Sequence, residues 1–113
     1  MFVIVALQLA LFLAMATWYL LHSPGTYHDD DLDHYFMARG AFAHPDFFLN
    51  PWGRPALTLL YALPAQLGLT AARFFTILLA AVTAWLTALT ARRMGYRLPH
   101  AAVGLTLWHP LFF

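Results

Sequence analysis

The chain of 113 residues has no cysteine, no lysine and no glutamate, and charged residues make up only 10% of it. Soluble globular domains carry about 25% charged residues, so this sequence has too few to cover a surface that faces water. The lack of cysteine excludes a disulfide scaffold and a zinc–cysteine module. A formal net charge of +1 gives no electrostatic footprint for nucleic acid, which is not expected as a partner. With 62% hydrophobic residues, the composition indicates an integral membrane protein.

The beginning of the chain predicts a helix that crosses a membrane. Residues 2–21 are a run of twenty uncharged residues, which as an α-helix is about 30 Å long, the thickness of one hydrocarbon core. Trp18 and Tyr19 lie near its end, where aromatic rings anchor helices at the interface. A basic start and a small-residue cleavage site, as in a signal peptide, are not clear, so we predict a retained anchor.

Two further apolar runs predict additional spans. Residues 74–91 are uncharged and are followed by Arg92, Arg93 and Arg97, and residues 98–113 are again apolar. The last run has sixteen residues, about 24 Å as a helix, which is short for a complete span. We therefore expect residues 1–113 to be the N-terminal part of one polytopic membrane domain in a longer protein. The predicted fold is all-α, a fragment of a helical membrane bundle with two full spans and a third incomplete one.

The run 74–91 also predicts contact with other helices. Thr76, Ala80, Thr83, Thr87 and Thr90 alternate at spacings of four and three residues, so they form one stripe along a helix. Small residues and hydroxyls mark close-packing faces in membranes, where no hydrophobic force draws helices together. We expect the remaining transmembrane helices of the full-length protein as partners.

The segment 56–69 decides the topology. It is apolar but contains Pro64 and Gly68, and its fourteen residues cover about 21 Å, which favours an interfacial helix over a span. By the positive-inside rule, the arginines after residue 91 lie in the cytoplasm. We predict a multi-pass protein of the plasma (inner) membrane with a cytoplasmic N-terminus. Its extracytoplasmic loop, residues 22–73, holds short interfacial helices. If the segment 56–69 crosses the membrane instead, this loop moves to the cytoplasm.

Every acidic residue of the chain lies between Asp29 and Asp46, inside this loop. Asp29 could cap a short helix, and the aspartates that follow would complement the positive end of the helix dipole. Four carboxylates within five residues repel one another, however, and a cation, a proton or a substrate would relieve that repulsion. The crowded carboxylates therefore suit a general base or a metal site. Asp30 and His34 share a helix face and could hold Mn²⁺ or Mg²⁺; no other cofactor is predicted.

Two arginines flank the interfacial segment. Arg54 and Arg73 could bind a phosphate group, or could reach lipid headgroups as arginines beside a membrane ordinarily do. Residues 44–55, which lead from the acidic region to this segment, contain three prolines and several aromatic residues. Because proline lowers the entropy of a loop that must hold one shape, this stretch favours a fixed conformation.

In combination, these motifs resemble the start of the GT-C membrane glycosyltransferases, in the branch of bacterial protein mannosyltransferases and aminoarabinose transferases. The resemblance covers roughly residues 2–95: one span, an acidic pair in the first outer loop, an aromatic residue and Ala-Arg, then His-Pro, then an amphipathic stretch that leads into the next span. The family's usual Asp-Glu is Asp-Asp here, and its His-Pro-Pro is His-Pro-Asp. The matching residues are Asp30, Asp31, Tyr35, Ala38, Arg39, His44, Pro45, Gly68 and Arg73.

The resemblance implies an enzyme that transfers a sugar from a polyprenyl-phosphate donor to an acceptor at the outer membrane face. Asp30 or Asp31 is then expected to be the general base for the acceptor hydroxyl. Arg39, Arg54 or Arg73 is expected near the lipid phosphate, and His44 is expected to bind substrate. Membrane lipid and the polyprenyl-phosphate sugar donor are the implied partners.

Two other functions are compatible with the sequence. A cation-handling membrane protein would use the loop's Asp and His residues at the mouth of a transport path, but the predicted spans carry no acidic residue. A small membrane subunit without chemistry is the other alternative. The unfinished third run and the stripe of small residues argue against it.

Overall fold

A computed structural model describes residues 2–25 and 29–108. Within these ranges the chain forms helices and no strand, which confirms the predicted all-α fold for this part of the chain. The elements are α1 (Phe2–His22), α2 (Asp29–Gly40), a 3₁₀ helix (Pro45–Leu49), α3 (Pro55–Gln66), α4 (Leu69–Arg93) and α5 (Pro99–Leu107).

The helices fall into two compact units. The apolar unit comprises α1, the part of α4 from Thr76 onward, and α5. The acidic unit is Ser23–Phe75, which holds α2, the 3₁₀ helix, α3 and the beginning of α4. All five aspartates of the sequence lie in the acidic unit.

Two of the described helices, α1 and α4, are long and apolar enough to cross a membrane. They have 21 and 25 residues, and only 17% and 11% of their most apolar stretches are buried. The core helix of a soluble protein is mostly buried, which these two are not, whereas a signal sequence near the N-terminus can also be as apolar as α1. The predicted spans 2–21 and 74–91 therefore coincide with helices of the right length and apolarity.

The core of the apolar unit joins side chains from its three helices. Phe2, at the start of α1, lies under the guanidinium of Arg92, at the end of α4, with 5.0 Å between Cζ and the ring centroid. The two helices therefore run in opposite directions within this unit. The buried side chains of the core are Val5, Phe12, Ala16, Ala84, Ala88, Val103 and Leu107.

On α4 the buried core positions lie beside the predicted stripe, of which Ala80 is partly buried and packs against the core. Ala84 and Ala88 are buried, whereas Thr83 is exposed and Thr87 only half-buried. The hydroxyls of Thr83 and Thr87 donate to backbone carbonyls one turn earlier in the same helix, each at 2.8 Å. The stripe's contact with further helices stays a prediction.

The acidic unit is built by α2 packing on α3, with the 3₁₀ helix against both. The side chain of Thr58 is buried, and its hydroxyl donates to the carbonyl of Gly53 at 2.8 Å. A Cβ added at Gly53 would lie 3.0 Å from the sulfur of Met37, so glycine lets the loop before α3 approach α2 closely. Small residues line the rest of this interface: Ala38, Ala41, Ala62 and Ala65 are buried.

The observed ends of α3, α4 and α5 differ in detail from the segment boundaries predicted from the sequence. α3 has 12 residues, about 18 Å, which is shorter than a hydrocarbon core. Gly68, with a φ of 104°, separates it from α4. α4 starts at Leu69 rather than near residue 74, because no helix-breaking residue follows Gly68; Arg73 therefore lies in a helix and not in a loop. α5 covers residues 99–107 of the predicted third span, and residues 109–113 lie outside the described part.

Candidate functional site

The predicted catalytic acids lie in the first turn of α2. Helix α2 begins at Asp29, and the side chains of Asp30, Asp31 and Asp33 are exposed. Their exposure makes the carboxylate oxygens accessible to a substrate hydroxyl. The cap predicted from the side chain of Asp29 lies outside the described part of the structure.

His34 lies one turn after Asp30 on α2 and is half-buried. Its ring faces Trp52, with 6.5 Å between centroids, and its Nδ1 is buried without a hydrogen-bond partner among the described residues. The described residues contain no group of three or more histidines and carboxylates that could hold a metal ion. The Asp30–His34 metal site thus rests on two residues and stays a prediction.

Arg39 lies at the opposite end of α2 from the acids. Along the helix axis it is about 12 Å from Asp31, so the helix itself does not pair these two charges. Its Nη1 donates to the hydroxyl of Tyr35 at 3.1 Å, on the exposed side of the helix. Its backbone carbonyl accepts a hydrogen bond of 2.8 Å from Nε2 of Gln66, which also donates to the carbonyl of Ala62. Gln66 therefore ties the end of α2 to α3.

His44 is exposed in the turn that joins α2 to the 3₁₀ helix. Its backbone N–H donates to the carbonyl of Gly40 at 2.9 Å, and its ring centroid lies 5.4 Å from that of Phe47. A Cβ at Gly40 would lie 3.1 Å from the same Phe47 ring. The close approach of Phe47 to Gly40 thus fixes the turn that presents His44.

Arg54 adopts a left-handed backbone conformation, with φ 52° and ψ 86°, directly before α3. This conformation costs a non-glycine residue on the order of 1–2 kcal/mol. The carbonyl of Arg54 accepts hydrogen bonds from the N–H groups of Leu57 and Thr58 at 2.7 and 3.1 Å, which begins the helix. The preceding turn is fixed by Asn50, whose Oδ1 accepts from the N–H of Trp52 at 2.9 Å. The exposed guanidinium therefore projects from a backbone that is held firmly.

Arg73 is half-buried near the start of α4. Its two terminal nitrogens donate to the carbonyl of Ser23 at 3.4 and 3.5 Å. Ser23 directly follows α1 and belongs to the segment that leads into α2. Arg73 therefore links the start of α4 to Ser23, the first residue of the acidic unit. Both of its terminal nitrogens donate to this backbone carbonyl, which uses part of their hydrogen-bonding capacity.

One face of α3 is an exposed row of leucines. Leu59, Leu60 and Leu63, together with Leu67 directly after the helix, are between 47% and 82% exposed, whereas Thr58 and Ala62 are buried. A short helix with one packed face and one exposed apolar face suits a position flat in a membrane interface.

Sequence reasoning missed two residues of this unit, Gln66 and Trp52. Gln66 is a polar residue within an otherwise apolar segment, which was the available signal for it. Its bond to Arg39 joins positions 27 residues apart, so it depends on how α3 packs against α2. The proximity of Trp52 to His34 depends on the same packing.

No family model, curated protein or solved structure matches this chain. The resemblance to GT-C glycosyltransferases thus rests on the short motifs of the sequence.

Proposed function

We propose that this chain belongs to a GT-C type membrane glycosyltransferase that transfers a sugar from a polyprenyl-phosphate donor to an acceptor at the outer membrane face. The observation that carries the proposal is the pair of exposed carboxylates, Asp30 and Asp31, at the start of α2. They lie in a unit inserted between two helices that are long and apolar enough to cross a membrane. The type of reaction is inferred from the motifs around these two residues, which resemble those of GT-C glycosyltransferases.

The direction of the long helices supports an outer location for the acids. Arg92, at the end of α4, contacts Phe2, at the start of α1. The positive-inside rule assigns this arginine-bearing end to the cytoplasm. The chain that leaves α1 at His22 and enters α4 at Leu69 then lies at the plasma membrane's outer surface. There the leucine face of α3 would contact lipid, and the acids would meet an extracytoplasmic acceptor.

The reaction needs a base on the acceptor side of the sugar. The carboxylate of Asp30 or Asp31 takes the proton of the acceptor hydroxyl while its oxygen bonds to the anomeric carbon. The bond from that carbon to the phosphate oxygen breaks, and the polyprenyl phosphate leaves with the electron pair. A positioned general base contributes about 10²- to 10⁴-fold to a rate.

Arginines of the acidic unit stabilise the departing phosphate. Arg39 and Arg54 are exposed, and a planar guanidinium can give two parallel hydrogen bonds to phosphate oxygens. Arg73 shares its terminal nitrogens with the carbonyl of Ser23 and contributes mainly positive charge. His44 is an exposed donor in the neighbouring turn and contacts the substrate.

The test compares single Asn variants of the full-length protein in isolated membranes. The donor probes are polyprenyl-phosphate mannose and polyprenyl-phosphate aminoarabinose, and the readout is release of polyprenyl phosphate. Either Asp30→Asn or Asp31→Asn lowers the rate about 10²- to 10⁴-fold, as expected for loss of a general base. Asp46→Asn, the same change at an exposed aspartate on the 3₁₀ helix, keeps the wild-type rate.

Two results would contradict this proposal. Wild-type rates in both single variants would show that neither Asp30 nor Asp31 is the general base. Failure of the unmodified protein to use either donor would show that it does not transfer these two sugars.

Addition of EDTA and then Mn²⁺ tests the Asp30–His34 metal site in the same assay. A rate that EDTA leaves unchanged argues against that site.

A further inference from the structure

Helix α4 ends in a rigid turn. Gly95 has a φ of 80°, its N–H donates to the carbonyl of Arg92 at 3.0 Å, and the N–H of Tyr96 donates to the carbonyl of Ala91 at 3.1 Å. These two bonds form a Schellman motif, which satisfies carbonyls that the end of the helix leaves open. Helix α5 then begins at Pro99, so the connection between the two helices is short and fixed.

The turn concentrates positive charge that no carboxylate of its own unit can balance. Arg92, Arg93 and Arg97 are exposed, and the sequence has neither Asp nor Glu in residues 1–22 and 76–113. The negative end of the helix dipole is equivalent to about half an elementary charge, so it offsets only part of the positive charge of the three guanidinium groups. These exposed guanidinium groups are therefore open to anionic groups from outside this unit.

Apolar side chains lie between the arginines in the same turn. Met94, Tyr96 and Leu98 are 67%, 62% and 63% exposed. Phe2, which packs under the guanidinium of Arg92, is also largely exposed. Cations interleaved with exposed apolar and aromatic side chains at the end of a long apolar helix suit a surface that faces water on one side and acyl chains on the other.

We propose that residues 92–98 together with Phe2, the arginine turn, form a docking surface for anionic phospholipid. The lipid phosphate accepts hydrogen bonds from the guanidinium groups, and the acyl chains cover Met94 and Leu98. The lipid's negative charge complements three arginines that have no Asp or Glu in their own unit. This site is independent of the sugar-transfer proposal, because it lies in the other unit and uses none of the same residues.

The test uses the full chain purified in detergent and freed of lipid, so that the orientation of insertion cannot affect the result. Native mass spectrometry measures retention of phosphatidylglycerol against phosphatidylcholine added in equal amounts. Because each basic residue contributes about fivefold to binding an anionic lipid surface, we expect at least a roughly tenfold preference for phosphatidylglycerol. Added NaCl weakens this preference, since exposed charges are screened.

The decisive variant is the triple change Arg92→Gln, Arg93→Gln and Arg97→Gln, which removes the preference. The matched control, the same three positions changed to Lys, keeps the charges and retains most of it. If the triple Gln variant loses its helical circular dichroism, Arg97→Gln alone lies outside the helices and is expected to lower the preference about fivefold. Equal retention of both lipids by the unmodified chain, or a preference unchanged in the folded Gln variants, overturns the proposal.

Discussion

The two units of this chain hold their helices together in different ways. In the apolar unit, α4 packs through Ala84 and Ala88, which are 0% and 2% exposed, and the hydroxyls of Thr83 and Thr87 bond within their own helix. In the acidic unit, polar side chains bond to the backbone of other segments, as Thr58 does to Gly53 and Gln66 to Arg39. Close contact of small side chains suits helices in lipid, whereas side chain–backbone bonds fix the turns that present charged groups.

This difference predicts where a charge can be tolerated. Ala84→Asp places a carboxylate at a fully buried position of α4, where insertion of an aspartate into a membrane helix costs about 2.5–3.5 kcal/mol. We expect most of the variant protein to be lost from the carbonate-resistant membrane fraction. The control Ala43→Asp, in the exposed turn after α2, keeps the wild-type yield. Equal yields for the two variants would contradict the proposed membrane location of α4.

A smaller effect is expected from removing hydroxyl groups. Thr58→Val leaves the carbonyl of Gly53 without the hydroxyl donor, at a cost of about 1–3 kcal/mol. Faster hydrogen exchange in the loop before α3 and in α3 itself would report this loss. Thr83→Val removes an exposed hydroxyl whose acceptor lies in its own helix, so we expect a change of less than about 0.5 kcal/mol. If the two substitutions destabilise the protein equally, the proposed difference in how the two units hold their helices together is contradicted.

The smallest effect is expected at Arg54. Glycine relieves the left-handed conformation of this residue but increases the entropy of the unfolded chain, so Arg54→Gly should change the free energy of unfolding by less than about 1 kcal/mol. Arg39→Gly, in the helical conformation of α2, should destabilise by about 1 kcal/mol and also loses the bond to Tyr35. Denaturant unfolding in detergent compares the two. A greater loss from Arg54→Gly than from Arg39→Gly would contradict the strain assigned to Arg54.

Sequence patterns predicted the long helices because uncharged runs are a strong signal for them. They also predicted a short helix at the acidic run, where the structure has α2. They did not predict that alanines would form the packed face of α4, because hydroxyl and methyl groups are similar in size and only the contact with α1 and α5 distinguishes them. The positive φ of Arg54 could not be predicted either, since this conformation is rare for residues with a Cβ.

The candidate site could be predicted only as a set of residues. The sequence placed Asp30 and His34 on one face of a helix, which follows from their spacing. It could not give the bonds that hold the site, such as Gln66 to Arg39 and Arg73 to Ser23, because they join segments that are distant in the chain. These contacts follow from tertiary packing within the acidic unit.

In the proposed topology, the acidic unit and the arginine turn lie on opposite sides of the membrane. The chain has no cysteine, so a single cysteine at Ala43 or at Met94, both exposed, can be labelled in intact cells with a maleimide that does not cross membranes. We expect Ala43→Cys to be labelled from outside and Met94→Cys to be labelled only after the cells are permeabilised. Labelling of both from the same side, or of Met94→Cys alone from outside, would contradict it.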